Sequence, residues 1–277
     1  MSIVRHPGKN VRKPRGKSVA RQDNLKLVSV VDRAARLMNC FTSDTQELDL
    51  QQMTALAGLP KPTTFRLLAN MVRHGLLEYK HASGNYMLGF TSLLLAEALL
   101  QGLPLRVQAR PFMEEIRDSL NETVVLSIKD HDHRINIESV ESTQVITATL
   151  NLGVRIPLYA GAASQVLLAG MQADDIDAYL ERTDLVSYNT TTLTTTKAVR
   201  ARLAKVREQG YALTFAEFTP GGSAIAVPIM GPEGCPVGAL HISGPKGRLN
   251  TDVQGRCVEA LLRGSKALTE ELCRPRP

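Results

Sequence analysis

The sequence has no tryptophan and only six phenylalanines and six tyrosines in 277 residues. An aromatic cage for a cationic ligand is therefore not its main device. Cysteine is also sparse: Cys40, Cys235, Cys257 and Cys273 stand far apart with no C-x-x-C pair. That spacing argues against a disulfide framework or a zinc finger and fits reduced thiols. No apolar run reaches the ~18 residues of a membrane-spanning helix. The richest stretch, SLLLAEALLQGL, is too short and carries Glu97. No apolar segment of the secretory kind follows the N-terminus. The expectation is a cytoplasmic protein with no membrane partner.

Acidic residues are missing from two places. Residues 1–21 contain Arg5, Lys9, Arg12, Lys13, Arg15, Lys17 and Arg21 and no acid. The formal net charge is +6, so these seven charges leave −1 for the rest of the chain. A basic segment with little to bury is expected to be a disordered tail, here residues 1–22, with a non-specific attraction to polyanions. The second acid-free stretch runs from Leu50 to Leu77, where Lys61, Arg66 and Arg73 are basic.

What is present begins with helical periodicity. In VVDRAARLMNCF, Val30, Val31, Ala34, Leu37, Met38 and Phe41 recur at three-to-four spacing. LDLQQMTALAG is a second, shorter helix that stops at Gly58. In GLPKPTTFRLL, Pro60 keeps Leu59 extended and Pro62 fits a first helical turn, so the two prolines enforce a sharp corner before a third helix. Its periodicity predicts a core face of Phe65, Leu68, Ala69, Val72 and Leu76. Thr63, Arg66, Asn70 and Arg73 then form a hydrogen-bonding face free of acids, of the kind the DNA major groove accepts. Lys61 and Thr64 stand at the start of that helix. LLEYKHASGNYMLG reads as a hairpin over Leu77–Lys80 and Tyr86–Leu88 with Gly84 in the turn. Lys80 and His81 at its tip are candidates for phosphate contacts. Three helices and a two-stranded ribbon make a winged helix-turn-helix, expected over residues 23–89.

A connecting helix is expected over residues 90–104. Its leucines cover more than one stripe, which predicts burial on more than one side, as at a contact between two chains. Residues 105–277 read as an α+β domain with a largely antiparallel sheet. Helices are expected at 110–120, 161–169, 173–182, 197–209 and 251–272. Strands are expected at 123–129, 134–140, 145–150, 211–215, 224–230 and 236–243. Thr196 is the expected N-cap of the helix from Lys197. His131 and His133, with Asp130 and Asp132, sit in a turn, but no further ligand spacing supports a metal site. The two glycines of PGGSA have no Walker or dinucleotide spacing, and Ser164 lies in no nucleophile-elbow pattern. No paired carboxylates, activated nucleophile or cofactor loop is legible. The sequence predicts neither an enzyme nor a cofactor.

Taken together, SVVDRAARLMNCF, GLPKPTTFRLL, GNYMLG, ARPFMEEI, NETVVLSI, IESVES, GVRIPLYA, VREQGYAL and ISGPKGRL resemble, in order, the isocitrate lyase regulator (IclR) family of bacterial transcription factors. The resemblance spans roughly residues 25–272. It implies an N-terminal winged helix, a linker helix and a GAF-like ligand domain. It also implies a homodimer or homotetramer that binds double-stranded operator DNA and responds to a small organic acid. The alternative is a C-terminal domain that serves only oligomerisation or protein partners.

Several positions depart from the family pattern. Pro62 replaces a usual serine, and Ser164-Gln165 replaces a usual Gly-Lys. Thr214, Ala224 and His241 stand where pockets for small 2-oxo acids carry Asp, Cys and Ser, while Ser243 is retained. Ala162, Ala163, Ser164 and Gly222 would line the same cavity, leaving room for a larger carboxylic acid, an aromatic one included. The amides at the start of the helix near Gly161 could hold its anion. Glu217 matches a family acidic position and reads first as structural.

Overall fold

The computed structural model describes residues 29–145 and 151–274. The basic tail expected at 1–22 lies outside these residues, as does nearly all of the strand expected at 145–150.

The first unit is built on α1 (Ser29–Met38), α2 (Leu50–Ala57) and α3 (Lys61–Arg73), followed by β1 (Leu77–Lys80) and β2 (Asn85–Leu88). A reciprocal capping box opens α2. The Asp49 carboxylate accepts from the Gln52 amide at 2.7 Å, and the Gln52 side chain accepts from the Asp49 amide at 2.9 Å. Gly58 closes α2 in the left-handed region, φ 64°, where only glycine sits without strain. Pro60 is the N-cap of α3, with Pro62 in the first turn. The two prolines thus stand as the sequence reading required. The hairpin pairs Leu77 with Leu88 and Lys80 with Asn85. Leu48 bridges to Tyr86 beside it, tying the ribbon to the segment before α2. Leu37, Leu48, Met53, Leu68, Met71, Leu77 and Tyr86 fill the core.

A corner of close-packed backbone leads out of this unit. A Cβ on Gly89 would lie 2.1 Å from the Gly75 carbonyl oxygen, so only glycine fits there. The Gly89 amide donates to Leu76 O at 2.9 Å and the Thr91 amide to Gly75 O at 3.3 Å. Helix α4 (Phe90–Gln101) then runs out, and α5 (Pro104–Leu120) follows at 78° to it. No single helix among the described residues is long and apolar enough to cross a membrane.

The second unit is a six-stranded sheet, all its pairs antiparallel, in the order β5-β4-β3-β8-β7-β6. The strands are β3 (Thr123–Asp130), β4 (His133–Val140), β5 (Arg155–Pro157), β6 (Ala212–Phe215), β7 (Gly222–Met230) and β8 (Pro236–Pro245). Strand alternation gives the sheet two different faces. One carries Val124, Leu126, Ile225, Val227, Leu240 and Ile242 and packs with α5 and α9 (Thr251–Leu272). The other carries small residues, including Ala212, Ala226 and Ala239, under α6 (Ala162–Ala169), α7 (Ala173–Arg182) and α8 (Thr196–Gln209). The fold is α+β, a winged helix-turn-helix joined to a helix-covered antiparallel sheet. The N-cap of α8 is Thr195, whose hydroxyl accepts from Ala198 N at 3.2 Å. The sequence reading placed that cap one residue late, in a run where every neighbouring threonine offers the same hydroxyl.

Candidate functional site

Helix α3 presents Lys61, Phe65, Arg66, Ala69, Asn70 and Arg73 to solvent and buries Thr64, Leu68 and Met71. This overturns part of the expected phase. The buried arc is turned by most of one residue's roughly 100° step. Phe65 is 55% exposed. Thr64 is fully buried, so it cannot touch DNA as expected. Its hydroxyl donates to Pro60 O at 3.2 Å, which lets a polar side chain enter the core satisfied. Thr63 is half-buried at the edge of the exposed arc. Arg66 and Arg73 form no ion pair among the described residues, and Asn70 donates to Arg66 O at 2.7 Å. On the ribbon, the Lys80 ammonium is held by Glu47 at 2.6 Å. That contact raises the Lys80 pKa and, with Asn85, lowers that of Glu47. Lys80, a candidate for phosphate contact, thus shares its charge with Glu47 while remaining exposed. His81 is exposed and stands edge-on to Tyr79, ring centres 5.0 Å apart.

The second site is a cavity of about 440 Å³ between the small-residue face of the sheet and the start of α6. Of the residues named from the sequence, Ala162, Ala163, Thr214, Gly222, Ala224, His241 and Ser243 all line it. Ser164 does not. It is fully buried and its hydroxyl has no partner among the described residues, because the helix turns it away from its two alanine neighbours. All eight residues of α6 are buried, so the sequence offers no polar face from which to read that rotation. The Gly161 amide, proposed for an effector anion, donates instead to Glu217 Oε2 at 3.2 Å. Glu217 is buried and also bound by Gln165 Nε2 at 2.6 Å and Arg202 at 2.8 Å. Burial pushes its carboxyl upward in pKa, and Arg202 with these hydrogen bonds opposes that rise.

Sequence reasoning missed Arg134, Asn136, Asn151, Phe218 and Thr219 in the cavity wall. Arg134 and Asn136 lie on β4 with side chains on the small-residue face. Arg134 Nη1 donates to Ser127 Oγ at 3.1 Å and to Asn136 Oδ1. His241 Nε2 lies 3.1 Å from Ser127 Oγ, and its Nδ1 lies 3.4 Å from Ser243 Oγ. Burial, and secondarily the Arg134 charge, hold His241 well below its ordinary pKa. It is neutral, so one ring nitrogen donates and the other accepts. Asp130 pairs with Arg155 at 2.6 Å and Asp132 with Arg182 at 2.5 Å. The acids of the histidine-bearing turn are thus committed to arginines.

The comparisons with known proteins meet this geometry. Residues 30–81 match the IclR helix-turn-helix domain, and residues 97–270 match the bacterial transcriptional regulator IclR C-terminal domain. The chain belongs to the IclR family. It is a DNA-binding transcriptional regulator of that family. It is 29% identical to the regulator KipR of Bacillus subtilis over 80% of this chain and 88% of KipR. It is 28% identical to the regulator XynR of Escherichia coli over 90% of this chain and 99% of XynR. Among solved structures, it is similar to an IclR homologue from Microbacterium hydrocarbonoxydans complexed with 4-hydroxybenzoate. The TM-score is 0.75 at 25% identity, over 88% of this chain and 98% of that one.

Proposed function

We propose that this IclR-family regulator reads its operator with the exposed arc of α3 and is controlled by a small organic acid in the cavity lined by β4 to β8 and the start of α6. Residues 23–89 would be the reading unit, 90–104 the connector and 105–277 the sensing unit. Lys61, Arg66, Asn70 and Arg73 would carry the contacts to DNA, with Thr63 and His81 at the margins. The observation that carries the sensing half is the cavity itself, about 440 Å³ in the range of small-molecule sites. It has a polar network on one wall and alanines on the others. The 4-hydroxybenzoate complex of the Microbacterium homologue supports an acid of aromatic size. Phe90, Leu93, Leu94, Leu95 and Leu99 of α4 are between 59% and 80% exposed. An apolar face of that extent supports a contact between two copies of the chain.

The test uses the full-length protein with DNA from upstream of its own gene at fixed salt. Melting temperature and DNA affinity are measured with a panel of aromatic and aliphatic carboxylic acids. At least one acid is expected to raise the melting temperature and also to change DNA affinity, because coupling between two sites is reciprocal. If no acid moves either quantity, the C-terminal unit serves only association.

A further inference from the structure

Arg134 is 6% exposed, yet none of the described carboxylates forms an ion pair with it. Glu217, which lines the same cavity, is taken by Arg202 at 2.8 Å, and on the neighbouring strands Asp130 pairs with Arg155 at 2.6 Å and Glu138 with Arg106 at 2.8 Å. Both hydrogen bonds of the guanidinium leave from Nη1, and both go to neutral oxygens, on Ser127 and Asn136. Its Nε–H is buried with no acceptor among the described residues. Burial lowers its pKa only to about 10, so it stays charged at neutral pH. A buried cation without a counter-charge is strongly disfavoured, and a buried donor without an acceptor is rare in a native interior. His241 beside it is neutral and offers no compensation.

We infer that Arg134 is the anchor for the effector's carboxylate, and that the cavity therefore selects an organic anion over its neutral analogue. This rests on the proposed reading of the cavity as the effector site. The Nη1 corner is fixed by Ser127 and Asn136, which orients the guanidinium plane before ligand arrives. A carboxylate in the cavity brings the guanidinium its missing counter-charge. The alanines at 162, 163 and 224, which also line the cavity, then leave the body of the acid apolar company.

The experiment compares benzoate, 4-hydroxybenzoate and pyruvate with benzamide, 4-hydroxybenzamide and pyruvamide, by thermal shift and calorimetry on the full-length protein. The expected result is that at least one acid protects the wild type and its amide does not. In Arg134→Met the affinity for that acid should fall at least about tenfold, the loss of one charge-assisted contact. If the amides protect as well as the acids, or if Arg134→Met binds the acid as tightly as the wild type, the anchor role is overturned while the cavity remains the sensing site. If neither acids nor amides protect the wild type, the anchor and the effector reading fall together. Should Arg134→Met not fold, the comparison of acid with amide on the wild type decides alone.

Discussion

At the scale of single residues, His241 shows what burial does to a titratable group here. Enclosed beside a cation, it remains neutral well below pH 6.5, whereas in the unfolded chain it gains a proton near that value. The unfolded state then binds more protons than the folded one, so stability is full above pH 6.5 and falls as the pH drops below it. The slope from this one group is about 1.4 kcal/mol per pH unit. His133, also depressed by partial burial, adds to the same window. Chemical denaturation between pH 5 and 7 on the order of half-unit steps should show this loss. His241→Gln should flatten the curve by about one proton's worth, and an unchanged slope would exclude His241 as its source. The sequence pointed to His241 through its family position, and His241 lies among the residues that line the cavity. Arg134 was hidden, since in DHDHRIN it follows a polar turn and resembles its solvated end. Only the strand register, which places Arg134 beside Lys129 and Asn136 beside Ser127, reveals that it turns inward.

At the scale of elements, α3 is the clearest test. Arg66 is exposed and lies on the proposed reading arc. Arg66→Ala should weaken operator binding by about 1–3 kcal/mol if it reads a base. If it holds a phosphate, the slope of log affinity against log salt should flatten by about one. In either case the melting temperature should hold, because the side chain contributes nothing to the core. Unchanged DNA affinity would move the reading surface off this arc. The start of α3 was legible from its prolines and the hairpin turn from Gly84. The rotation of α3 was not. Phe65 counted as core by hydropathy and Thr64 as surface by polarity, but the bond from Thr64 to Pro60 O reverses both. On α6 the difficulty is different, because a helix buried all round has no amphipathic face to read.

At the scale of the whole molecule, Phe90, Leu93, Leu94, Leu95 and Leu99 of α4 find no cover among the described residues. Burying each leucine in a symmetric contact would contribute about 1.5–3 kcal/mol. Leu94→Glu should therefore shift the protein towards monomer in sedimentation equilibrium, with unchanged helix content by circular dichroism. An unaltered assembly would assign the contact to another surface. The junction before α4 carries a mechanical consequence. Gly89 sits so close to the Gly75 carbonyl, and is so tied to the turn after α3, that α4 leaves the reading unit as a stiff spoke and not a tether. Twelve helical residues make a spoke of about 18 Å. A tilt of about 10° at its outer end therefore swings the reading unit by roughly 3 Å. Two such spokes clamped together would convert a small adjustment near the sensing sheet into a change in the spacing of two reading helices. The fit to two half-sites one DNA turn apart would then act as a vernier for what the cavity holds.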